Sequence, residues 1–99
     1  MHRFLAVAEA EYLDAIRFHE TLRPGLGEAL LHDFERVVAR VVERPLSFRK
    51  VHPAGIHRAR LSRFPYSIYY RVHADGCPEV TAFAHHRRRP DYWTPRLAP

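Results

Sequence analysis

The sequence predicts a small α+β domain in which a helical hairpin packs on a mainly antiparallel sheet. Two successive segments repeat their apolar residues at helical spacings of three and four, and three later segments alternate apolar and polar residues as strands do. The helical segments are residues 8–22 and 26–43, and the strand segments are residues 57–62, 66–72 and 79–85. Because the connectors between them are short, residues 1–99 are predicted to form one domain.

The composition agrees with one compact core. The chain has 99 residues, of which 46% are hydrophobic and 12% aromatic, enough apolar side chains for a single small domain. No run approaches the length of a membrane span, and the first residues lack a secretion signal, so we expect a cytoplasmic protein without a membrane partner. The lone Cys77 has no cysteine with which to form an internal disulfide.

The first predicted helix has one apolar face and an acidic beginning. Its early acids Glu9, Glu11 and Asp14 favour the N-terminal end through the helix dipole. The apolar face comprises Ala8, Tyr12, Ala15, Ile16, His19 and Leu22. This face predicts the side of the helix that packs on the sheet.

A tight corner joins the two helices. Pro24 disfavours helical geometry at the residue before it, and Gly25 permits a positive φ. The second helix then presents Leu26, Leu30, Phe34, Val37, Val38, Val41 and Val42 on one face. Arg44-Pro45 ends it, so the two helices are predicted to be antiparallel.

The strand segments place apolar and basic side chains on opposite faces of the sheet. Residues 4–7 are predicted as a short first strand, and residues 74–76 as the turn between the last two strands. The face toward the helices is expected to carry Ala59, Leu61, Tyr66, Ile68, Tyr70 and Val72. The other face is expected to carry Arg58, Arg60, Ser67, Tyr69 and Arg71, with the basic run 85–89 leaving the sheet edge.

Positive charge is concentrated in the second half of the chain. Residues 1–48 hold six arginines and eight acids, a balance of −2, whereas residues 49–99 hold nine arginines and one lysine against three acids, a balance of +7. The guanidinium group suits phosphate and carboxylate ligands, although Arg-rich usage also follows from a GC-rich genome. The placement of the arginines therefore carries more information than their number.

Three segments resemble the RelE/ParE superfamily of toxins, and more narrowly its ParE-like plasmid-stabilisation branch. These are the helical corner around residues 23–27, the stretch Phe-Pro-Tyr-Ser-Ile-Tyr-Tyr-Arg-Val at 64–72, and the ending His-His-Arg-Arg-Arg-Pro-Asp-Tyr-Trp at 85–93. The resemblance runs from about residue 7 to residue 93. It implies the same β-α-α-β-β-β fold and a role as the growth-inhibiting toxin of a type II toxin–antitoxin system.

The resemblance leaves two activities open. ParE-type members inhibit DNA gyrase, whereas RelE-type members are ribosome-dependent mRNA endonucleases. Ser67 stands where several of the nucleases have a catalytic arginine, and Lys50 is the only lysine in the chain. Both departures favour gyrase as the target, with no catalytic residue required.

If the protein cleaved RNA, it would need a base, an acid and a cation at the scissile phosphate. Arg71, His85 and His86 are the candidates for these roles. Because His85 and His86 are adjacent in a strand, we expect them on opposite faces. That arrangement, with no acid or cysteine cluster nearby, disfavours a metal site, and neither a metal nor a cofactor is predicted.

If the protein binds gyrase, the contact is expected on the basic face and tail. The candidates are Arg58, Arg60, Arg87, Arg88, Arg89, Tyr92 and Trp93, which combine charge with large rigid side chains. In the opposing interpretation Tyr92 and Trp93 fold back on the domain and only the arginines are solvated.

Two further expectations concern partners. A basic domain that only binds nucleic acid is a third interpretation, although the chain lacks any helix-turn-helix, zinc-finger or RNA-recognition motif. As a toxin, it would be covered by an acidic, partly disordered antitoxin segment that folds on binding. A homodimer and a toxin–antitoxin hetero-oligomer both remain open.

Overall fold

The computed structural model describes residues 1–97 and confirms the α+β layout. In chain order the elements are β1 (Arg3–Phe4), α1 (Ala6–Leu22), α2 (Leu26–Glu43), β2 (Lys50–His52), β3 (Ile56–Arg60), β4 (Tyr66–Val72), β5 (Pro78–His85) and a 3₁₀ helix (Thr94–Leu97). No helix within residues 1–97 is long and apolar enough to cross a membrane.

The five strands form one mixed sheet in the order β1-β5-β4-β3-β2. β1 is parallel to β5, and the other three pairings are antiparallel. The two helices lie between β1 and β2 in sequence, so the hairpin carries the chain from one edge of the sheet to the other. The prediction of an edge strand followed by a meander is confirmed.

The first strand is shorter than the predicted residues 4–7. The Leu5 amide still donates to the Val80 carbonyl at 2.9 Å, but the Leu5 carbonyl already accepts from the Glu9 amide at 3.0 Å, which begins α1. Val7 therefore lies in the helix and is 45% exposed.

The corner between the helices depends on two glycines and one acid. Gly25 has φ 90°, as expected for a left-handed position. A Cβ on Gly27 would lie 2.7 Å from the Ile16 carbonyl oxygen, so only glycine allows the helices this close. The Glu20 carboxylate accepts from the Gly25 and Gly27 amides at 3.0–3.1 Å and satisfies the start of α2.

The sequence did not predict β2. Its three residues pair with β3 through an irregular register at the rim of the sheet, and three residues are too few to show a period of two. β3 covers residues 56–60 rather than 57–62, because the chain leaves the sheet at Leu61. β4 matches its prediction, and β5 begins one residue early at Pro78, a position where a strand tolerates proline.

Apolar clusters lie on both faces of the sheet. The helix-facing cluster contains Tyr12, Leu30, Phe34, Val37, Val41, Ile68, Tyr70 and Phe83 among others. Leu22, predicted on the packed face of α1, is 61% exposed at the end of that helix. The second cluster, Ile56, Ala82 and Trp93, covers part of the face that the sequence predicted to be open.

Asp33 fastens α2 to the turn that precedes β4. Its side chain is fully buried and accepts from the backbone amides of Ser62, Arg63 and Phe64 at 2.8–3.1 Å. Arg36 lies 3.4 Å from the same carboxylate. These contacts fix the start of β4, where Ser67 and its neighbours lie.

Candidate binding surface

The predicted basic residues of β3 lie on the sheet face away from the helices. Arg60 pairs with Ser67 of β4, and Arg58 pairs with Tyr69. Arg60 is exposed and Arg58 is half-buried. Because directly opposed residues project to the same face, Arg60 and Ser67 are side by side.

Ser67 and His86 form a polar pair beside these arginines. Ser67 is 2% exposed, and its Oγ lies 3.0 Å from Nε2 of His86. The His86 amide donates to the Pro65 carbonyl at 2.8 Å, which fixes the chain just after β5. We name the four residues Arg58, Arg60, Ser67 and His86 the sheet-end cluster.

The electrostatics of the sheet-end cluster favour a neutral imidazole. Burial and then the positive charge of Arg60 lower the pKa of His86 below its ordinary 6.5, and His85 and Arg58 act in the same direction. A backbone hydrogen bond with Tyr66 acts in the opposite direction but does not reverse the shift, and a bound anion would favour the protonated ring by offsetting the charge of Arg60.

His85 lies on the opposite face, as its position next to His86 predicted. Its ring contacts Tyr66 at a centroid distance of 5.2 Å. It also lines a pocket of about 270 Å³ between α1 and β5, together with Phe18 and Arg88. The two histidines therefore do not act on one ligand atom.

Arg71 is far from both histidines. It pairs with Glu79, whereas His85 pairs with Tyr66, six residues further along β5. At about 3.4 Å per residue the two positions are about 20 Å apart. The three candidates for RNA cleavage are thus not assembled into one site.

The basic run after β5 divides into free and engaged arginines. Arg87, Arg88 and Arg89 are all exposed. Arg88 stacks on the Tyr92 ring at 3.8 Å and lies 3.6 Å from the Glu11 carboxylate. Arg87 and Arg89 have no acidic partner within residues 1–97, so they are available for a ligand.

Trp93 and Tyr92 are structural in this conformation. Trp93 is 1% exposed and packs against Tyr69 and His52, with ring centroids 5.0 and 5.7 Å away. Tyr92 donates its hydroxyl proton to Glu11 at 2.7 Å. Trp93 was one of the residues predicted to contact a target. In the structure its side chain is buried against the sheet, so it has no exposed surface with which to bind one.

Glu11 anchors the C-terminal segment, a role that the sequence analysis missed. Its carboxylate accepts two bonds from Arg96 at 2.8 and 2.9 Å and one from the Phe83 amide at 3.1 Å, besides that from Tyr92. Arg96 also donates to the Thr81 carbonyl at 3.0 Å. β1 pairs only with the first part of β5. Beyond that part, these contacts bond backbone groups of β5 with which another strand could otherwise pair.

The Glu11 contacts stabilise its charged form. Burial acts to raise the pKa of Glu11, but the hydrogen bonds from Arg96, Tyr92 and the Phe83 amide outweigh it and lower the pKa below its ordinary 4.5. Only contacts between distant parts of the chain produce this arrangement, so the helix pattern alone gives no signal for it.

Acidification is expected to release the C-terminal segment from α1. Since the folded pKa of Glu11 is depressed, its contribution to stability is present above pH 4.5 and is lost as the pH falls through the lowered value. Trp93 is the only tryptophan, so its emission reports the release directly. We expect a red shift below pH 4.5 that precedes the loss of far-ultraviolet circular dichroism.

Glu11→Gln is the control for this acid step, because it removes the titrating group while keeping the size of the side chain. The step should be absent in this variant. Simultaneous change of the two signals in the wild-type protein would contradict a separate release of the segment.

Comparisons with known proteins add no identity: no protein-family model matches this chain, and no curated protein is similar to it. Within residues 1–97 no three histidine, cysteine or acidic side chains are grouped so that they could hold a metal ion.

Proposed function

We propose that this chain is the toxin of a type II toxin–antitoxin pair, of the RelE/ParE kind, and that it inhibits DNA gyrase in the bacterial cytoplasm by binding. The motifs at residues 64–72 and 85–93 support the family, and the helical hairpin on a mainly antiparallel sheet is the fold that the resemblance implies.

One observation favours binding over catalysis. Arg71 lies about 20 Å along the sheet from the histidines, whereas Arg58, Arg60, Arg87 and Arg89 lie together at the end where β3 stops, β4 starts and β5 stops. A group of cations without a matched acid and base suits a surface that stabilises one state of a target's cycle by binding to it.

The antitoxin is proposed to be an acidic segment. The second half of the chain carries a balance of +7 in sequence, and the basic face and tail arise from that half. An acidic antitoxin would be steered to this surface by its charge and would cover it. The toxin would then be blocked from its target without any covalent chemistry.

A ribosome-dependent mRNA endonuclease is the second candidate. It is favoured by His86, a neutral imidazole beside Arg60 that could act as a base near a bound phosphate. It would need a different acid and cation from the predicted set, because His85 and Arg71 are not close to His86.

Two assays on the purified protein separate these candidates. Gyrase is tested for loss of supercoiling and for trapped DNA breaks, and ribosomes are tested for translation-dependent cleavage of mRNA. We expect trapped breaks and intact mRNA. Codon-spaced cuts in mRNA with normal gyrase activity would replace the proposed function with the second candidate.

A further inference from the structure

The sheet-end cluster has the composition of an anion site. Arg60 stands directly across from Ser67, and Ser67 stands directly across from Ala84, so the three share one face. His86 follows Ala84 by two residues, and its bond to Ser67 places it on that face as well. Arg60 and His86 thus lie beside two small buried residues, Ser67 at 2% and Ala84 at 5% exposure, and Arg58 lies two residues before Arg60 on the same face.

The spacing of the cluster suits a repeating anion. Arg58 and Arg60 are two residues apart in one strand, and their Cβ atoms are therefore separated by about 6.6 Å. This is comparable to the separation of consecutive phosphates along a nucleic-acid strand. Arg87 and Arg89, in the turn after β5, extend the positive surface beyond the cluster.

Among residues 1–97, the same face offers no exposed phenylalanine, tyrosine or tryptophan ring on which a base could stack. Trp93 is buried beneath the C-terminal segment, and Tyr69 is half-buried against it. Proteins that hold single strands depend on such aromatic platforms, whereas backbone recognition needs only the cations. The face therefore suits recognition of a phosphate backbone better than recognition of a base sequence.

We propose that Arg58, Arg60 and His86 bind the phosphodiester backbone of duplex DNA, with Ser67 holding the His86 ring in place. This deepens the proposed function, because it assigns the surface to the DNA of a gyrase–DNA complex, but the binding itself needs no gyrase. The arginines provide positive charge. A bound phosphate offsets the repulsion between Arg60 and a protonated His86, so His86 gains a proton on binding.

The test is fluorescence anisotropy of the full chain with labelled duplex DNA in low salt. Two duplexes of unrelated sequence, a single strand and an RNA duplex are compared. We expect equal affinity for both DNA duplexes and weaker binding of the single strand. The double variant Arg58→Ala/Arg60→Ala should lose about tenfold or more in affinity and reduce the slope of log K against log salt by about two.

Arg71→Ala is the matched control, because Arg71 is exposed on the same face at the far end of β4. It removes one positive charge where the double variant removes two, and it should change the affinity less than about twofold. A loss of log affinity in Arg71→Ala that is about half the loss in the double variant, as expected when only the number of charges matters, would overturn the proposal in favour of diffuse charge. A preference for RNA would overturn the assignment to DNA, and competition by polyglutamate as strong as that by DNA would indicate an acidic protein ligand.

The pH dependence provides a second readout that does not depend on the arginine variants. Wild-type affinity should rise as the pH falls from 8 to 6, and His86→Gln, which can keep a hydrogen bond to Ser67, should remove most of that rise. Arg58, Arg60 and His85 are the charged and titratable groups that act on His86. An unchanged pH profile in His86→Gln would exclude His86 from the site.

The outcomes of the two experiments are independent. Gyrase inhibition without DNA binding would overturn this inference and leave the proposed function intact. DNA binding that depends on the sheet-end cluster, without any effect on gyrase, would support this inference and overturn the proposed function.

Discussion

Asp33→Ala is expected to lower the free energy of unfolding by about 3 to 5 kcal/mol. The variant leaves the amides of Ser62, Arg63 and Phe64 without their buried acceptor, and each such bond to a charged group contributes about 1.5 to 3 kcal/mol. The turn before β4 should loosen at the same time. Asp33→Asn should also be destabilised, because its amide nitrogen cannot accept from these donors.

The measurement is equilibrium denaturation by urea, with Asp14→Ala as the control. Asp14 is exposed on α1 and has a single surface ion pair, with Arg17 at 3.0 Å, so its loss should cost less than about 1 kcal/mol. If Asp33→Ala were as stable as Asp14→Ala, the carboxylate would not be what holds the turn to α2.

Trp93→Ala is expected to cost a similar amount, about 3 to 5 kcal/mol, because it empties the second apolar cluster. Trp93 is 1% exposed and covers Ile56 and Ala82, two residues that are otherwise open to water on this face. Removing it should also reduce inhibition of gyrase, but only in proportion to the fraction of protein unfolded.

Thermal denaturation checks this prediction, and Phe18→Ala is its control. Phe18 is 56% exposed, so its truncation should cost less than about 1 kcal/mol. A Trp93→Ala variant that stays as stable as the wild-type protein and loses gyrase inhibition would show that Trp93 contacts the target, as the sequence first suggested.

The fold was predictable because its main elements have strong periods. The valine and leucine positions of α2 repeat at three and four, and every second residue of β4 from Tyr66 to Val72 is apolar and faces the helices, so local pattern and tertiary packing agree. β2 escaped prediction because its three residues depend on pairing with β3. The start of α1 at Ala6 was not predicted, because Leu5 bonds both to β5 through its amide and to the first turn of α1 through its carbonyl.

The site was predictable only where strand alternation determines it. The opposite placement of His85 and His86 follows from the period of two, and so does the shared face of Arg58 and Arg60. The distance of Arg71 from the histidines follows from the β4–β5 register, which the sequence does not state.

Long-range contacts account for the rest. Asp33 and Glu11 look like ordinary helix acids in the sequence, yet each accepts hydrogen bonds from residues at least 29 positions away. Their roles exist only once the helices have packed on the sheet. Trp93 likewise has the chemistry of an interface residue, and tertiary packing decides that it is buried.

We propose that a cationic surface at the end of the sheet inhibits gyrase by binding alone, without covalent chemistry. The most direct measurement is the yield of gyrase-trapped DNA breaks with the wild-type protein, Arg58→Ala/Arg60→Ala and Arg71→Ala, each with its mRNA cleavage measured in parallel. We predict breaks with the wild-type protein and Arg71→Ala, few with the double variant, and intact mRNA in all three. Cleaved mRNA with the wild-type protein, and no trapped breaks from any of the three proteins, would contradict inhibition by binding alone.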